Sequence, residues 1–436
     1  LTEVIFDLYP LRTLAIHVNR LEIDRSRYTV SDDLRTSNFY FENATFSDGQ
    51  TLTAQDVVES YRTAKKSGYY EGRFLHMKSV KANDEGAVVI QLDTPMENLP
   101  LLLDIPVVKA NQVDAAVPAG TGPYLLEDTP TGKQLRRQAA WWCDTAISVN
   151  AHIIELYHGT TQKELWDLYK FSGLSMVCTE DYVDFRGDYE LWESENGLFM
   201  YLGCNSKSKV FSNDAIRLAL THAIDRDELV KKYFRGFAYS ATLPASPAFP
   251  HYSITLSEQY GYQPEVFAQA VANAQLEDNN VKLLVNAKDS MSMRISLAIE
   301  EILEKSGLAV TLSQLSGEDY LNALKWEEYD IYLGQTKLSP NMDLTAFFDD
   351  DGDLNFGRMA DVAIHNMNQR ALENSGNYQS LHQMVMEDGQ LCPLLFRSYA
   401  IYGRKGLFPG LSPARDNIFH YSLGKTMEEA FIAEEP

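Results

Sequence analysis

Residues 44–61 read ATFSDGQTLTAQDVVESY, and this stretch decides the fold that we expect for the chain. The tripeptide Ser-Asp-Gly at 47–49 is typical of a turn, because glycine adopts a positive φ and aspartate bonds the backbone beyond it. Thr53 and Asp56 have the spacing of a helix N-cap and its capping-box partner. The stretch therefore predicts a turn followed by a capped helix that ends near Gly68.

Two later segments carry equally clear local signals. Residues 120–124 read GTGPY, and two glycines with one proline predict a loop. Residues 211–236 read FSNDAIRLALTHAIDRDELVKKYFRG, and apolar side chains recur there at helical spacing. Ser212 or Asn213 is the predicted N-cap, and Gly236 stands where a C-terminal glycine belongs. We therefore expect one helix over 211–236.

Residues 281–334 alternate strands with helices. These elements are predicted at Val281–Val285, Ser292–Ser306, Leu308–Leu312, Glu318–Lys325 and Asp330–Leu333, in the order strand, helix, strand, helix, strand. This order is typical of a parallel sheet with right-handed crossovers. The loop after the first strand lacks glycines, so we expect no dinucleotide site there. A further strand is predicted for the apolar run at 391–402.

The bulk composition limits the classes of protein that need to be considered. A chain of 436 residues is too long for one hydrophobic core, so two or three domains are expected. The formal net charge of −23 repels phosphate backbones, so we expect no nucleic-acid partner. The sequence has no apolar run of about 18 residues, and we therefore expect no membrane-spanning helix.

The cysteines and the acidic runs give no sign of a metal or a cofactor. The four cysteines contain no C-x-x-C pair, which disfavours a zinc or thioredoxin-type site; they are Cys143, Cys178, Cys204 and Cys392. A disulfide and buried free thiols are both open, and the chain length favours free thiols. The acidic run at 349–353 has its glycine at the wrong position for a calcium loop. The G-x-S-x-G and H-E-x-x-H motifs are missing, so we predict no enzyme activity and no cofactor.

Taken together, the three segments resemble motifs of the family 5 extracellular solute-binding proteins. Residues 44–61 resemble the family's F-S-D-G-x-x-L-T-A-x-D-V stretch, and residues 120–124 resemble its G-T-G-P-Y loop. Residues 212–236 are similar to its A-I-D-R helix, with Ile216 where valine is usual. Residues 414–418 also resemble a segment near the family's C-terminus. Members of the family are the oligopeptide-, dipeptide- and nickel-binding components of ABC importers.

The resemblance implies an α/β, two-lobed fold like that of periplasmic binding proteins (the venus flytrap), with mixed sheets. It predicts a discontinuous first lobe, a small inserted domain that carries the F-S-D-G motif, and a second lobe that contains the parallel region. In the same order, the predicted ranges are 1–25 with 117–205 and 407–436, then 26–116, and then 206–406.

The resemblance also implies a function. The chain is expected to be a periplasmic protein or a cell-surface lipoprotein that captures a peptide or peptide-like compound between its lobes. It would deliver this solute to the permease of an ABC importer, and its contact with the membrane would be a lipid anchor upstream of Leu1. The alternative is the solute-sensing C-terminal module of a bacterial transcriptional regulator, in which a helix-turn-helix domain would precede Leu1.

The chain departs from the peptide-binding members where those hold the charges of their ligand. An ungapped comparison places Ser339 or Pro340 at the position of the aspartate that binds the ligand's α-amine, and Leu333 at that of an arginine. We expect ligand contacts from loops at the carboxyl ends of parallel strands, where α/β folds bind ligands. The predicted ligand-binding residues are Gln335, Thr336, Lys337, Asn341, Asp343, Arg397, Tyr399 and Trp326.

Alternatives stay open for four of these residues. Lys337 is either an anion-binding group or a solvated loop lysine. Arg397 interrupts an apolar strand, so it either contacts the ligand or forms an internal salt bridge. Tyr399 and Trp326 are candidates for the ligand cleft, although aromatic side chains are more often part of a core.

Overall fold

The protein divides into two compact units. The computed structural model describes residues 28–40, 44–103, 105, 107–115, 117–130, 132–142, 152–157, 162–171, 174–179, 187–408 and 411. Unit 1 comprises Leu1–Ser194 and Tyr399–Pro436, and unit 2 comprises Glu195–Ser398. The chain therefore passes between the units twice, after Ser194 and after Ser398. The finer division into three ranges stays a prediction, and residues 414–418 lie outside the described part.

Unit 1 contains antiparallel sheets in its described part. Its elements are β1 (Tyr28–Val30), β2 (Thr36–Phe39), α1 (Ala54–Ala64), β3 (Met77–Ala82), β4 (Val88–Leu92), β5 (Tyr124–Thr129), β6 (Gly132–Arg137), β7 (Ile153–Leu156), α2 (Gln162–Phe171) and β8 (Met176–Thr179). One sheet has the strand order β1-β2-β4-β3 and another has the order β5-β6-β7. All the pairs in these two sheets are antiparallel.

The stretch at 44–61 forms the predicted turn and capped helix. Gly49 has a φ of 82°, and the Asp48 carboxylate accepts a backbone N–H two residues further on, at 3.1 Å. Thr53 and Asp56 form the capping box at the start of α1. Asp48 also pairs with Lys109, and this ammonium group lowers the pKa of the Asp48 carboxyl. These hydrogen bonds and this ion pair stabilise the turn and the start of α1 within unit 1.

Unit 2 is built on a mixed sheet flanked by helices. Its elements are β9 (Tyr189–Cys204), α3 (Asp214–Ala223), α4 (Arg226–Leu229), β10 (Ala238–Ser240), α5 (Ile254–Gln259), α6 (Pro264–Ala274), β11 (Asn280–Asn286), α7 (Ser290–Lys305), β12 (Ala309–Leu315), α8 (Glu318–Lys325), β13 (Ile331–Lys337), α9 (Thr345–Phe348), α10 (Val362–Glu373), α11 (Tyr378–Asp388) and β14 (Leu391–Arg404). β9 begins in unit 1, and β14 ends there, where it pairs with β8.

The sheet of unit 2 has the strand order β10-β14-β9-β13-β11-β12. β11 is parallel to both β12 and β13, so the parallel strand-helix alternation predicted over 281–334 is confirmed. β9 is antiparallel to β13. Apolar residues of α7, including Ile295 and Ile299, are buried in one cluster with Leu283 and Leu333 of the sheet.

The prediction of one helix over 211–236 is wrong. The segment forms α3, α4 and a π-helical turn at Val230–Phe234. Ile224 has extended backbone angles, φ −98° and ψ 111°, and the Asp225 side chain caps the new helix by accepting from Glu228 N at 2.9 Å. Both helices bury residues in the same core. The apolar periodicity of the sequence therefore continues through the break and does not reveal where α3 ends.

Arg226 fixes this break against the sheet. Its buried guanidinium donates to the carbonyl oxygens of Thr221 at 2.9 Å, Ala241 at 3.0 Å and Pro393 at 2.9 Å. Burial lowers the pKa of Arg226, and the carbonyl acceptors replace the water that the charge has lost. The A-I-D-R residues are therefore structural, because they join α3 and α4 to β14.

Two tyrosines lie over two glycines between β9 and β13. Tyr332 is opposite Gly203, and Tyr201 is opposite Gly334. A Cβ on Gly203 would lie 2.1 Å from the Tyr332 ring, and one on Gly334 would lie 2.4 Å from the Tyr201 ring. The two buried rings meet edge to face with their centroids 5.7 Å apart. These pairs fix the strand register, because a shift would bring a side chain to a place where only hydrogen fits.

The cysteines of the described part are free thiols. Cys204 and Cys392 are buried, and Cys178 is half-buried. Free thiols are therefore confirmed for these three residues, whereas Cys143 lies outside the described residues. Within the described ranges, every helix is too short or too polar to cross a bilayer.

The Tyr–Gly pairs predict the effect of adding a single methyl group. We expect Gly334→Ala to lower the free energy of unfolding by about 1–3 kcal/mol, because the new Cβ overlaps the Tyr201 ring. Urea denaturation followed by circular dichroism measures the change. Gly68→Ala is the control, since its Cβ would meet no atom within 4 Å. Equal stabilities of the two variants would contradict the packing described for β9 and β13.

Candidate functional site

Most of the predicted site residues gather at one edge of the sheet in unit 2. β11 and β13 are parallel, so their carboxyl ends lie at the same edge. Gln335, Thr336 and Lys337 are the last residues of β13, and Asp289 follows β11. We term this edge, together with the residues that contact it, the carboxyl edge. Edges of this kind are where α/β folds bind ligands.

Arg397 of β14 reaches the carboxyl edge. The residue is 5% exposed, and its Nη1 donates to Gln335 Oε1 at 3.1 Å. The same nitrogen lies 4.0 Å from Asp289 Oδ2, a distance longer than a hydrogen bond. Gln335 itself is exposed, so solvent reaches the place where the two side chains meet. An internal ionic partner for Arg397 therefore exists, and its contact with a ligand stays a prediction.

Asp289 is a residue of the carboxyl edge that was not among the predicted site residues. It caps the N-terminus of α7, where its carboxylate accepts from Met291 N at 3.0 Å and from Ser292 Oγ at 2.7 Å. We predicted the start of this helix at Ser292, two residues after the observed start at Ser290. An aspartate between a strand and a helix is the usual N-cap signal, so the pattern could have identified it.

Asn341 and Asp343 belong to a buried network that holds the loop after β13. The Tyr378 hydroxyl donates to the carbonyl oxygen of Asn341. The fully buried Asn368 donates to Asp343 Oδ1 at 2.8 Å and accepts from Leu344 N at 3.2 Å. Sequence reasoning did not identify Asn368. These contacts shape the loop, and direct binding of a ligand by Asn341 or Asp343 stays a prediction.

The remaining predicted residues lie in different places. Thr336 and Lys337 are half-buried at the end of β13. Trp326 is 68% exposed and precedes β13, so it lies at the amino end of that strand, away from the carboxyl edge. Tyr399 is buried and belongs to unit 1. The structure thus brings Gln335 and Arg397 into contact and does not place Trp326 beside them.

Asn196 of β9 is a further group at the carboxyl edge that was not predicted. Leu198 is opposite Lys337, and Leu338 N donates to Gly197 O at 3.1 Å, so Asn196 lies just beyond the end of β13. Asn196 is 1% exposed, and its Oδ1 accepts from Leu198 N at 3.0 Å. Its Nδ2 is buried and finds no acceptor among the described residues. An Asn-Gly dipeptide inside an extended run is the signal that could have identified this position.

His382 lies next to Tyr378, which bonds the loop after β13. It is fully buried, and both ring nitrogens lack hydrogen-bond partners within the described ranges. Its ring lies 5.9 Å from that of Tyr378, which stacks on His251 at 5.6 Å. Burial, with a smaller contribution from His251, lowers the pKa of His382 from 6.5 to about 3. The imidazole is therefore neutral in the folded protein at neutral pH.

Comparison with known proteins identifies a family for most of the chain. A family model described as "Bacterial extracellular solute-binding proteins, family 5 Middle" matches residues 22–353. The oligopeptide-binding protein AppA of Bacillus subtilis is 23% identical over 309 residues, which cover 61% of this chain and 55% of AppA. The dipeptide-binding protein of Escherichia coli is 24% identical over 295 residues, which cover 58% of this chain and 54% of that protein. The chain thus spans about half the length of these relatives.

Solved structures share the fold over nearly the whole chain. A putative peptide binding protein AppA from Clostridium difficile superposes with a TM-score of 0.77 at 16% identity, covering 91% of this chain and 90% of that one. NikA from Brucella suis, solved in complex with Fe(III)-EDTA, gives a TM-score of 0.75 at 17% identity and covers 90% and 89%. The predicted α/β fold of the two-lobed periplasmic binding proteins is therefore confirmed.

The buried imidazole predicts a pH dependence of stability. Between pH 6.5 and about 3 the unfolded chain binds a proton at His382 that the folded protein does not, so stability falls as the pH is lowered. We expect His382→Leu to reduce this slope by up to about 1.4 kcal/mol per pH unit. Urea denaturation at pH 6.5, 5.5 and 4.5 (about one unit apart, inside the linkage window) measures the slopes.

Carboxylates titrate in the wild type and in the variant alike, so the difference between the two slopes isolates His382. The exposed His152 provides the control variant, His152→Leu. Identical slopes for the wild type and His382→Leu would show that the buried imidazole takes up its proton in both states.

Proposed function

Since the chain belongs to the family 5 bacterial extracellular solute-binding proteins, we propose that it is the solute-binding component of an ABC importer. It would bind a peptide or peptide-like compound outside the cytoplasm and deliver it to a membrane permease. The observation that carries this proposal is the family match over residues 22–353. The relatives described as oligopeptide-binding and dipeptide-binding support a peptide as the ligand.

The carrier is favoured over a transcriptional regulator. The relatives named above are described as binding proteins, and a relative from Brucella ovis is described as a putative ABC transporter peptide-binding protein. A carrier releases its solute unchanged, so we propose that the chain has no catalytic activity. A periplasmic or lipid-anchored state and the three domain ranges 1–25 with 117–205 and 407–436, 26–116 and 206–406 belong to the same proposal.

The carboxyl edge of unit 2 is the proposed place of ligand contact. It combines the exposed Gln335 with the buried cation of Arg397, at 3.1 Å from each other. Lys337 adds a second cation at the end of β13. The network around Asn341 and Asp343 would hold the neighbouring loop in one shape, and a preformed loop loses less entropy when it binds.

Mass spectrometry of the freshly purified protein, followed by thermal shift with a panel of tri- to hexapeptides, tests the proposed function. We expect a peptide either to copurify or to stabilise the fold. At 100 times its dissociation constant, a ligand adds about 2.7 kcal/mol to the free energy of unfolding. If no peptide copurifies and none in the panel raises the melting temperature, the proposal of a peptide carrier is wrong.

Two substitutions test the placement of the site. We expect Arg397→Ala and Lys337→Ala each to weaken binding of the most stabilising peptide by about tenfold or more, because each removes a cation from the carboxyl edge. Isothermal titration calorimetry measures the affinity. Lys209→Ala is the matched control, since Lys209 is an exposed lysine that pairs with Asp278 at 2.7 Å. Unchanged affinity in both folded variants would place the ligand elsewhere.

A further inference from the structure

β12 (Ala309–Leu315) forms an open edge of the sheet in unit 2. Within the described part of the chain, this strand is hydrogen-bonded to β11 alone, in parallel and without a register shift. Its first residue, Ala309, donates its N–H to the carbonyl oxygen of Asn279 at 2.9 Å, and the carbonyl oxygen of its last residue, Leu315, accepts from Ala287 N at 2.8 Å. Because a strand directs alternate residues to each of its neighbours, the residues of β12 that bond β11 are those with odd numbers.

The backbone groups on the other side of β12 belong to Val310, Leu312 and Gln314. Among the described residues, the N–H groups and carbonyl oxygens of these three have no hydrogen-bond partner. Thr311 and Gln314 are exposed, so solvent reaches the strand. A row of unbonded backbone groups of this kind is a template on which a further strand can pair.

The other edge strands of the described sheets are protected against such pairing. β1, β7, β8 and β10 have only three or four residues each. β3 carries Lys78 and Lys81 and has a register shift near its start, and β5 carries Glu127 and Asp128. β12 has seven residues, and the run LAVTLSQL at 308–315 contains neither a charged residue nor a proline. Short length, charges, prolines and bulges are the usual devices against association at an edge, and β12 has none of them.

The residues of β12 are complementary to those of an antiparallel copy of the same strand. A two-fold axis at Leu312 places this residue opposite its own counterpart and Val310 opposite Gln314, so that the outward N–H and C=O groups of each strand bond those of the other. The same register places Thr311 opposite Ser313, a pair whose hydroxyl groups can hydrogen-bond across the strands. Val310 and Leu312 are half-buried against the core under α7, and the pairing would extend that core across the axis.

The charges near β12 also permit this pairing, although each chain has a formal net charge of −23. The run 308–315 is uncharged, so like charges do not face each other along the paired strands. Lys305 precedes β12, and Glu318 and Asp319 follow it. In the antiparallel arrangement, the lysine of one copy lies at the same end as the two acids of the other, and the acids of the two copies lie at opposite ends. The local charges therefore favour a second copy in this orientation.

We propose that the chain forms a dimer in which β12 pairs with β12 of a second copy, so that the sheets of the two copies of unit 2 become one continuous sheet. The self-complementary register and the arrangement of the charges favour a second copy over a foreign strand. Seven residues a side make a small interface, so the dimer forms reversibly at micromolar concentrations. The proposal goes beyond the proposed function and does not depend on the solute.

Sedimentation velocity of the full chain, from about 1 to 100 μM, measures the association. We expect the wild type to change from monomer to dimer within this range. Gln314→Pro should raise the dissociation constant of the dimer about 30-fold or more, because it removes an outward N–H and its ring blocks the edge, whereas the bonds to β11 do not involve this N–H. Gln314→Ala is the matched control, since it also loses the glutamine side chain but keeps the N–H, and it should dimerise like the wild type.

A charge exchange at Leu312 tests the partner and the register. Leu312→Lys alone and Leu312→Glu alone should stay monomeric, because each would face a like charge on the two-fold axis. An equimolar mixture of the two variants should dimerise, since opposite charges then face each other. Circular dichroism verifies that both variants are folded. Folded variants whose mixture stays monomeric would overturn the pairing of Leu312 with its own counterpart.

Two results with the wild type and Gln314→Pro would overturn the proposal. A wild type that stays monomeric up to the highest concentration is one of them, and hydrogen exchange would then show whether another segment of the same chain protects the amides of Val310, Leu312 and Gln314. A dimer that Gln314→Pro leaves intact is the other, because its interface would lie elsewhere. Peptide binding is measured separately from association, so either result would leave the proposed function unaffected.

Discussion

The register of β9 against β13 is the constraint on which the candidate site depends. Tyr332 covers Gly203 and Tyr201 covers Gly334, and neither glycine has space for a Cβ. A slip of one residue would turn Gln335 to the opposite face of the sheet and away from Arg397. Asn196 follows the same register, because the pairing that ends at Lys337 and Leu198 leaves it just beyond β13.

Local chemistry explains which parts of the fold could be predicted. The turn at 47–49, the cap at Thr53 and the strand-helix alternation over 281–334 depend on neighbouring residues, and the sequence displays them directly. The break between α3 and α4 depends on Arg226, whose acceptors include Ala241 and Pro393, distant in the chain. The apolar periodicity of a sequence does not show hydrogen bonds between distant segments. One helix was therefore predicted where the structure has α3 and α4.

The same distinction applies to the site. Gln335 and Lys337 were accessible to prediction, because they end a strand of a predicted parallel sheet. The contact of Arg397 with Gln335 follows from the order β14-β9-β13, and that order brings together segments about 60 residues apart. The pairing of β9 with β13 in the same sheet places Asn196 at the carboxyl edge. Trp326 was chosen as an aromatic residue near the strand, but its position before β13 places it at the other end.

The central claim is the proposal that a solute contacts unit 2 at its carboxyl edge. The most direct measurement is a crystal structure of the protein with the peptide that it binds most tightly. The account predicts an atom of that peptide within hydrogen-bond distance, about 3 Å, of Gln335, Lys337 or the Arg397 guanidinium. A bound peptide that contacts none of these three residues would contradict it.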